Sequence, residues 1–295
     1  MKRREFAKLT GLGVVAISTT GFISFNGKDY VGDCETTSDI LGPFYRPDSP
    51  VRNNLVIEGM PGAIVELSGK IRHQDCSTPH KKAKVELWHC SNNEVYDNDS
   101  EEFRYRGTTY ADDQGNYKFL TQMPVPYDAG GGEIRPAHFH IMISAPGYQS
   151  LITQIYFEGD EYLDDDPSTI SPRAEKRILK IDRSKEVHRI RFDCNMNDKL
   201  KPSQDALKSI VGKYRNINTG EINEFFAREG ELWIKNEVFG KVFSYTGKNS
   251  FEYGGLPENM YERLNFSLKA DGTVLLEKRS FYGEGREVVK NYIRV

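Results

Sequence analysis

This sequence predicts an all-β protein, an antiparallel β-sandwich followed by a small antiparallel, barrel-like C-terminal module. Three observations lead there. Short segments alternate apolar and polar residues and are rich in β-branched side chains. Gly, Pro and Asp cluster between them as turns. A polar stretch, Asp193 to Pro202, separates two runs of such segments that differ in rhythm. At 295 residues the chain can hold one large or two modest domains.

Residues 26 to 50, rich in Asp, Thr, Gly and Pro, read as an irregular lead-in. Asn54-Leu-Val-Ile57 starts the strand pattern, and Ala63 to Ile71 and Ala83 to Trp88 continue it. Asp112-Asp-Gln-Gly-Asn116 is a turn, followed by a strand at Tyr117 to Thr121. Ala137 to Ser144, Leu151 to Phe157 and His188 to Phe192 complete a first unit over residues 30–198. Ser203 to Val211 reads as a short helix opening a second unit, residues 203–295. Its strands fall at Gly220 to Phe226, Gly230 to Lys235, Lys241 to Tyr245, Glu262 to Leu268, Val274 to Lys278 and Glu287 to Tyr292, with a turn at Ala270-Asp-Gly-Thr273. This rhythm loosely resembles small β-barrel modules appended to some exported serine hydrolases. Phe225, Phe226, Trp233, Phe243 and Tyr245 either fill the module's own core, as strand periodicity favours, or pack on the first unit. No period relates the two halves.

The net charge is −3 with both signs mixed throughout, which argues against a nucleic-acid surface. The basic run from Lys176 to Arg191 reads as a solvated strand or turn face. Residues 1–27 read as an export signal, with a basic start followed by a short apolar stretch from Leu12 to Phe25. That stretch is too short for a membrane span, so no stable span is expected after signal removal. Arg3-Arg4 with Phe6 resembles a twin-arginine signal, which implies an exported protein, periplasmic or associated with the cell envelope. Export makes disulfides possible for Cys34, Cys76, Cys90 and Cys194. Four cysteines allow three complete pairings. Cys76 with Cys90 is favoured because Pro79 to Lys84 can turn the chain back, and buried free thiols are the other reading.

The motif richest in chemistry is Arg135-Pro-Ala-His-Phe-His140. In a strand, His138 and His140 point to one face. Tyr127 and Tyr96 stand upstream. Two imidazoles with two phenols suit a hard, high-valent metal, above all ferric iron.

Around that motif lie Leu41-Gly-Pro-Phe-Tyr-Arg46, Val85-Glu-Leu-Trp-His-Cys90, Asp113-Gln-Gly-Asn-Tyr-Lys-Phe119 and Thr153-Gln-Ile-Tyr-Phe-Glu-Gly-Asp160. Together they resemble the intradiol ring-cleavage dioxygenases, the catechol, hydroxyquinol and protocatechuate enzymes, over roughly residues 34 to 195. The resemblance implies a β-sandwich of the intradiol type holding non-haem Fe(III). It implies the ligands Tyr96, Tyr127 (in Pro124-Val-Pro-Tyr127), His138 and His140. Tyr105 and Tyr110 are nearby alternatives to Tyr96. The implied substrates are a catechol-type aromatic ring and O2. The ring opens between its two hydroxylated carbons to a muconate-type diacid. Tyr127 corresponds to the ligand that leaves on substrate binding and takes a substrate proton, while Tyr96 stays. Arg135 corresponds to the arginine that stabilises carbanion character on the ring, and Gln154 to a glutamine that orients substrate or oxygen. Gly42 and Pro43 match a lead-in whose backbone approaches the pocket, and Glu158 and Asp160 match motif positions without an assigned role. Trp88 reads as core, and His80 and His89 as surface residues or neighbours of the ligands. The family's large helical N-terminal dimerisation region is not seen here, and the loop between Asp128 and His138 is short and glycine-rich, implying a more open pocket. A homo-oligomer is a further expectation. The competing reading is an exported protein that binds iron or catecholates without turnover. Arg135 beside a displaceable Tyr127 discriminates, because binding alone needs neither.

Overall fold

The computed structural model describes residues 36–170, 172–196, 202–235, 241–253, 256, 260–283 and 285–295, and the backbone of three short strands before them. Those strands, β1 (Ile17–Ser18), β2 (Gly21–Phe25) and β3 (Tyr30–Gly32), form a sheet of their own. Arg3, Arg4 and Cys34 lie outside the described residues, and so does most of the expected export signal. Among the described residues no helix is long and apolar enough to cross a membrane.

The first unit is a two-sheet sandwich. One sheet centres on β4 (Ile64–His73), paired antiparallel with β7 (Asn116–Gln122) and parallel with β13 (His188–Arg191) and β14 (Cys194–Met196). The other runs β12 (Ile178–Leu179), β11 (Leu151–Phe157), β10 (His138–Ser144), β5 (Lys84–Trp88), β6 (Arg106–Tyr110). Val65, Leu67, Val85, Leu87, Phe119, Phe139, Ile141, Ile143, Ile155 and Phe157 fill the space between them. Period-2 alternation then decides the site. Phe139, Ile141 and Ile143 of β10 point into this core, so His138, His140 and Met142 occupy the opposite face. That face is buried as well, because the lead-in crosses it.

Several expectations are corrected. The sandwich is mixed rather than purely antiparallel, since β12, β13 and β14 each run parallel to their partners. Long crossover connections permit that pairing, which hairpins cannot make. Asn54-Leu-Val-Ile57 is not a strand: the Asn54 carboxamide accepts the Val56 amide (3.1 Å), and a single bridge to Leu120 remains. Cys194 to Met196, read as linker, is a strand of the sandwich. Arg177, in the run read as solvated, is buried and ion-paired with Asp39. The Cys76–Cys90 pairing is overturned: Cys76 is disulfide-bonded, while Cys90 and Cys194 are free, buried thiols. Strand β5 carries Cys90 away from the turn that holds Cys76, about 20 Å along the sheet at 3.3 Å per residue, far beyond disulfide reach.

The second unit is a closed barrel of eight strands in sequence order. They are β15 (Gly212–Asn216), β16 (Ile222–Arg228), β17 (Glu231–Lys235), β18 (Lys241–Gly247), β19 (Ser250–Glu252), β20 (Tyr261–Leu268), β21 (Val274–Phe281) and β22 (Val288–Arg294). The short helix α1 (Gln204–Ile210) precedes it, capped by the Ser203 hydroxyl on the Ala206 amide (3.1 Å), and adds Leu207 and Ile210 to the barrel core. Tyr214, Phe225, Phe243, Phe251, Phe266 and Tyr292 fill the interior. The two expectations for the aromatics are both met, divided by strand parity. Phe225 points into the barrel, whereas Phe226 and its cross-strand partner Trp233 point out and pack against the sandwich.

Candidate functional site

The register of β5, β10 and β11 assembles a row of side chains on the outer sheet face. His140 is flanked by Trp88 on one side and Gln154 on the other, and His138 by Tyr156. Trp88 is not simply core. Its ring stacks on His140 at 5.0 Å with an interplanar angle of 6°. Tyr127 lies in a small hairpin, β8 (Tyr127–Asp128) with β9 (Ile134–Arg135), whose register sets it opposite Arg135. Tyr96 reaches the same place from the loop after β5, stacked under Phe44 of the lead-in at 4.3 Å.

The four candidate donors converge. The Nε2 atoms of His138 and His140 are 3.1 Å apart. The Tyr96 hydroxyl is 3.4 Å from His138 Nε2, and the Tyr127 ring is 5.6 Å from His138 and 5.4 Å from Tyr96. The two alternatives to Tyr96 are elsewhere: Tyr110 is exposed, and Tyr105 packs on His89 at 4.9 Å. His138 Nδ1 donates to the Pro136 carbonyl at 2.6 Å, which leaves its Nε2 lone pair directed into the cluster. His140 Nδ1 is buried and has no hydrogen-bond partner. Burial, then the Arg135 charge, pushes His138 down to about 3. Burial and His138 hold His140 well below the usual range, so both rings are neutral. Burial, then Tyr127, drives the Tyr96 hydroxyl well above its ordinary value. Burial also raises Tyr127, which Arg135 partly offsets.

Such a set fits a cation. Two neutral imidazoles offer lone pairs at one point, and two buried phenols can ionise there only against positive charge. A ligating histidine commonly donates its other nitrogen to a carbonyl, as His138 does. Among the described residues no group of three or more His, Cys, Asp or Glu could hold a metal. The donor set is completed by phenols instead.

Arg135 is fixed by a buried network. Its Nε donates to Asp166, and one Nη donates to Gln154 Oε1 (3.0 Å) and the Tyr156 hydroxyl (3.0 Å). Burial works against the charge, but Tyr156, Asp166 and Tyr127 outweigh it and raise Arg135. Tyr156 in turn donates to Asp39, which pairs with Arg177. Gln154 is fully buried, and its Nε2 donates to the Ile40 carbonyl (2.8 Å). Through these two bonds it ties Arg135 to the lead-in. Gly42, at φ +75°, lies against His140, while Pro43 is exposed. Glu158 is exposed, and Asp160 accepts the Ala137 amide (2.8 Å), which anchors the start of β10. His80 and His89 are both buried, contrary to a surface reading. His89 bonds Thr121 at 2.8 Å on the core side of the sheet.

Sequence reasoning missed Asp39, Tyr156, Asp166, Arg177 and Arg106. Tyr156 was within reach, because it shares a strand face with Gln154 two residues away. Arg106 is buried and donates to the carbonyls of Phe44 and Asp97 (both 2.6 Å), tying the lead-in to the loop that carries Tyr96. No local signal marks Asp39 or Asp166, whose partners are remote in sequence.

Fold and donors define a β-sandwich with a mixed phenol–imidazole site beside a fixed guanidinium. Residues 40–201 match the family model described as Dioxygenase. The chain belongs to the intradiol ring-cleavage dioxygenase family. It is 39% identical over 152 residues to a catechol 1,2-dioxygenase of Candida albicans, covering 44% of this chain and 50% of that one. It is 32% identical over 171 residues to a chlorocatechol 1,2-dioxygenase of Rhodococcus opacus, covering 50% and 66%. A crystal structure of catechol 1,2-dioxygenase from Pseudomonas arvilla C-1 matches with a TM-score of 0.50 and 27% identity, over 57% of this chain and 63% of that one. The chain thus spans about half to two thirds of the length of these relatives. The family match ends at residue 201, before the barrel.

Proposed function

We propose that the protein is an Fe(III)-dependent intradiol dioxygenase that opens a catechol-type ring with O2 between its hydroxylated carbons, giving a muconate-type diacid. The observation that carries this is the convergence of His138, His140, Tyr96 and Tyr127 beside an immobilised Arg135. Those four residues would hold the iron. Bound there, ferric iron would supply Lewis acidity toward a catechol-type substrate and the redox chemistry that O2 requires. The protein does the rest. Tyr127, on a two-residue strand at the edge of the site, would be the donor that leaves on substrate binding and accepts a substrate proton at its phenolate oxygen. Tyr96, clamped under Phe44, stays in place. Arg135 presents a fixed positive charge to negative charge developing on the ring, with reorganisation prevented by Asp166, Gln154 and Tyr156. The names of the relatives support catechol, chlorocatechol or hydroxyquinol as the substrate class. A disulfide at Cys76 supports an exported location.

The test is product analysis on iron-loaded protein with a panel of catechols under 18O2. A muconate-type diacid carrying both labelled atoms is expected. A yellow semialdehyde, or iron binding with no oxygen uptake, would overturn the reading. The second outcome would favour binding without turnover.

A further inference from the structure

The barrel reaches the site by two routes. In the first, the Tyr253 hydroxyl accepts the Leu41 amide at 3.1 Å. Leu41 is buried, and Gly42 follows it. A Cβ on Gly42 would meet His140 Cε1 at 2.9 Å, so this backbone lies directly against the imidazole edge. In the second, rings pack in series, two pairs stacked and the middle pair tilted by 60°. Trp233 lies on Tyr45 (5.8 Å), Tyr45 on Trp88 (5.1 Å), and Trp88 on His140 (5.0 Å). Polar contacts flank both routes: Arg228 pairs with Asp48, Glu229 with Lys84 (3.1 Å), and Glu231 accepts the Ser150 amide (3.1 Å).

The need for such support is visible in the histidines. His138 is oriented by its bond to the Pro136 carbonyl. His140 faces His138 through Nε2 (3.1 Å) but has no partner at Nδ1, so at that end packing fixes its ring. Trp88 covers one face and Gly42 the edge. The sheet holds the lead-in as far as Ile40, through the Asp39 amide on the Ile152 carbonyl (2.9 Å) and Gln154 on the Ile40 carbonyl. At Leu41 the partner is a barrel residue, and the sandwich takes hold again at Phe44, whose carbonyl accepts from Arg106 (2.6 Å).

We propose that Tyr253 is a positioning residue for the site: by accepting the Leu41 amide it presses Gly42 against His140, so the barrel sets the orientation of that ring. This rests on the reading of His140 as part of an iron centre. It makes the barrel a support for the site, acting through the lead-in.

The test uses full-length Tyr253→Phe, which removes the acceptor and keeps the ring. Amide exchange at Leu41 is expected to accelerate about tenfold, the scale of one hydrogen bond, with or without metal. In iron-loaded protein the phenolate-to-iron visible band and the ferric EPR signal are expected to shift, and kcat/KM to fall by a similar factor. Phe251→Leu serves as control, since it loosens the barrel core without touching Leu41, and it is expected to leave band and EPR in place. Unchanged exchange and spectra in Tyr253→Phe would overturn the inference. So would an equal spectral shift in Phe251→Leu, which would assign the effect to general loosening. A parent protein with no band would overturn the iron reading, and this inference with it, before any substitution is compared.

Discussion

The two β units solve the problem of an interior differently. In the sandwich, one face of a sheet buries His138, His140, Gln154, Asp39, Asp166 and Arg177 together. In the barrel, seven aromatic rings are buried among the described residues, and the buried carboxylate Glu262 is held by Lys241 (3.0 Å) and Lys278 (2.7 Å). All six histidines precede the barrel. The difference teaches where chemistry can reside. A polar interior needs a network of partners, and the sandwich builds one by drawing them from remote segments, with His140 Nδ1 left over. The barrel offers packing, stiffness and an outer face.

The largest effect should come from removing a donor. His140→Ala is expected to abolish iron retention and ring cleavage, measured by metal analysis after gel filtration and by oxygen uptake. Phe225→Ala, a cavity of similar size in the barrel, should cost about 3–5 kcal/mol of stability yet leave iron bound. If the barrel variant loses iron as readily, the contrast between chemical and mechanical interiors fails. Next is Arg177→Met, which strands the Asp39 carboxylate in the sandwich and should cost about 3–5 kcal/mol in denaturant unfolding. Arg135→Leu should retain iron and depress turnover by roughly 10²–10³-fold, the scale for one preorganised electrostatic group. Loss of iron in that variant would mean that Arg135 builds the site instead of serving the reaction.

Acid should separate the units. Burial holds His89 at about 4, below its ordinary 6.5. The fold favours its neutral form, so this stability is present above pH 6.5 and is lost as pH falls toward 4. At about 1.4 kcal/mol per pH unit the loss is about 3 kcal/mol. In the barrel, burial opposes the Glu262 carboxylate, but Lys278 and Lys241 outweigh it and lower its pKa. Its contribution persists above 4.5 and fades only as pH drops through the depressed value. In metal-free protein, amide exchange in the sandwich strands should therefore accelerate before that in the barrel strands between pH 6.5 and 4.5. The smallest effect belongs to Lys278→Met, about 1 kcal/mol, because Glu262 keeps Lys241 and the Tyr282 hydroxyl (2.8 Å).

Much of this was legible in the sequence. Alternation exposed β4, β5, β10 and β11, and a spacing of two placed both histidines on one face. Tyr96 and Tyr127 were found through a family resemblance, and the structure brings them to the histidines. Alternation could not reveal parallel pairing, since β13 and β14 look the same whichever way their neighbour runs. It could not distinguish a sheet face open to solvent from one roofed by the lead-in. Nor could it tell that Phe225 and Phe226, adjacent in sequence, belong to different cores. Partners such as Asp39 with Arg177 carry no local signature, because only tertiary structure brings them together.

The contact between Leu41 and Tyr253 spans 212 positions of the chain. A ribosome making this protein releases the lead-in early and Tyr253 near the end. The sandwich strands can pair well before then, but the roof over His140 must wait for most of the barrel. Contacts of such long separation are slow to close. Maturation of the centre should therefore lag behind collapse of the sandwich, and a nascent chain stalled before residue 253 should carry an unfinished, solvent-open cluster of histidines.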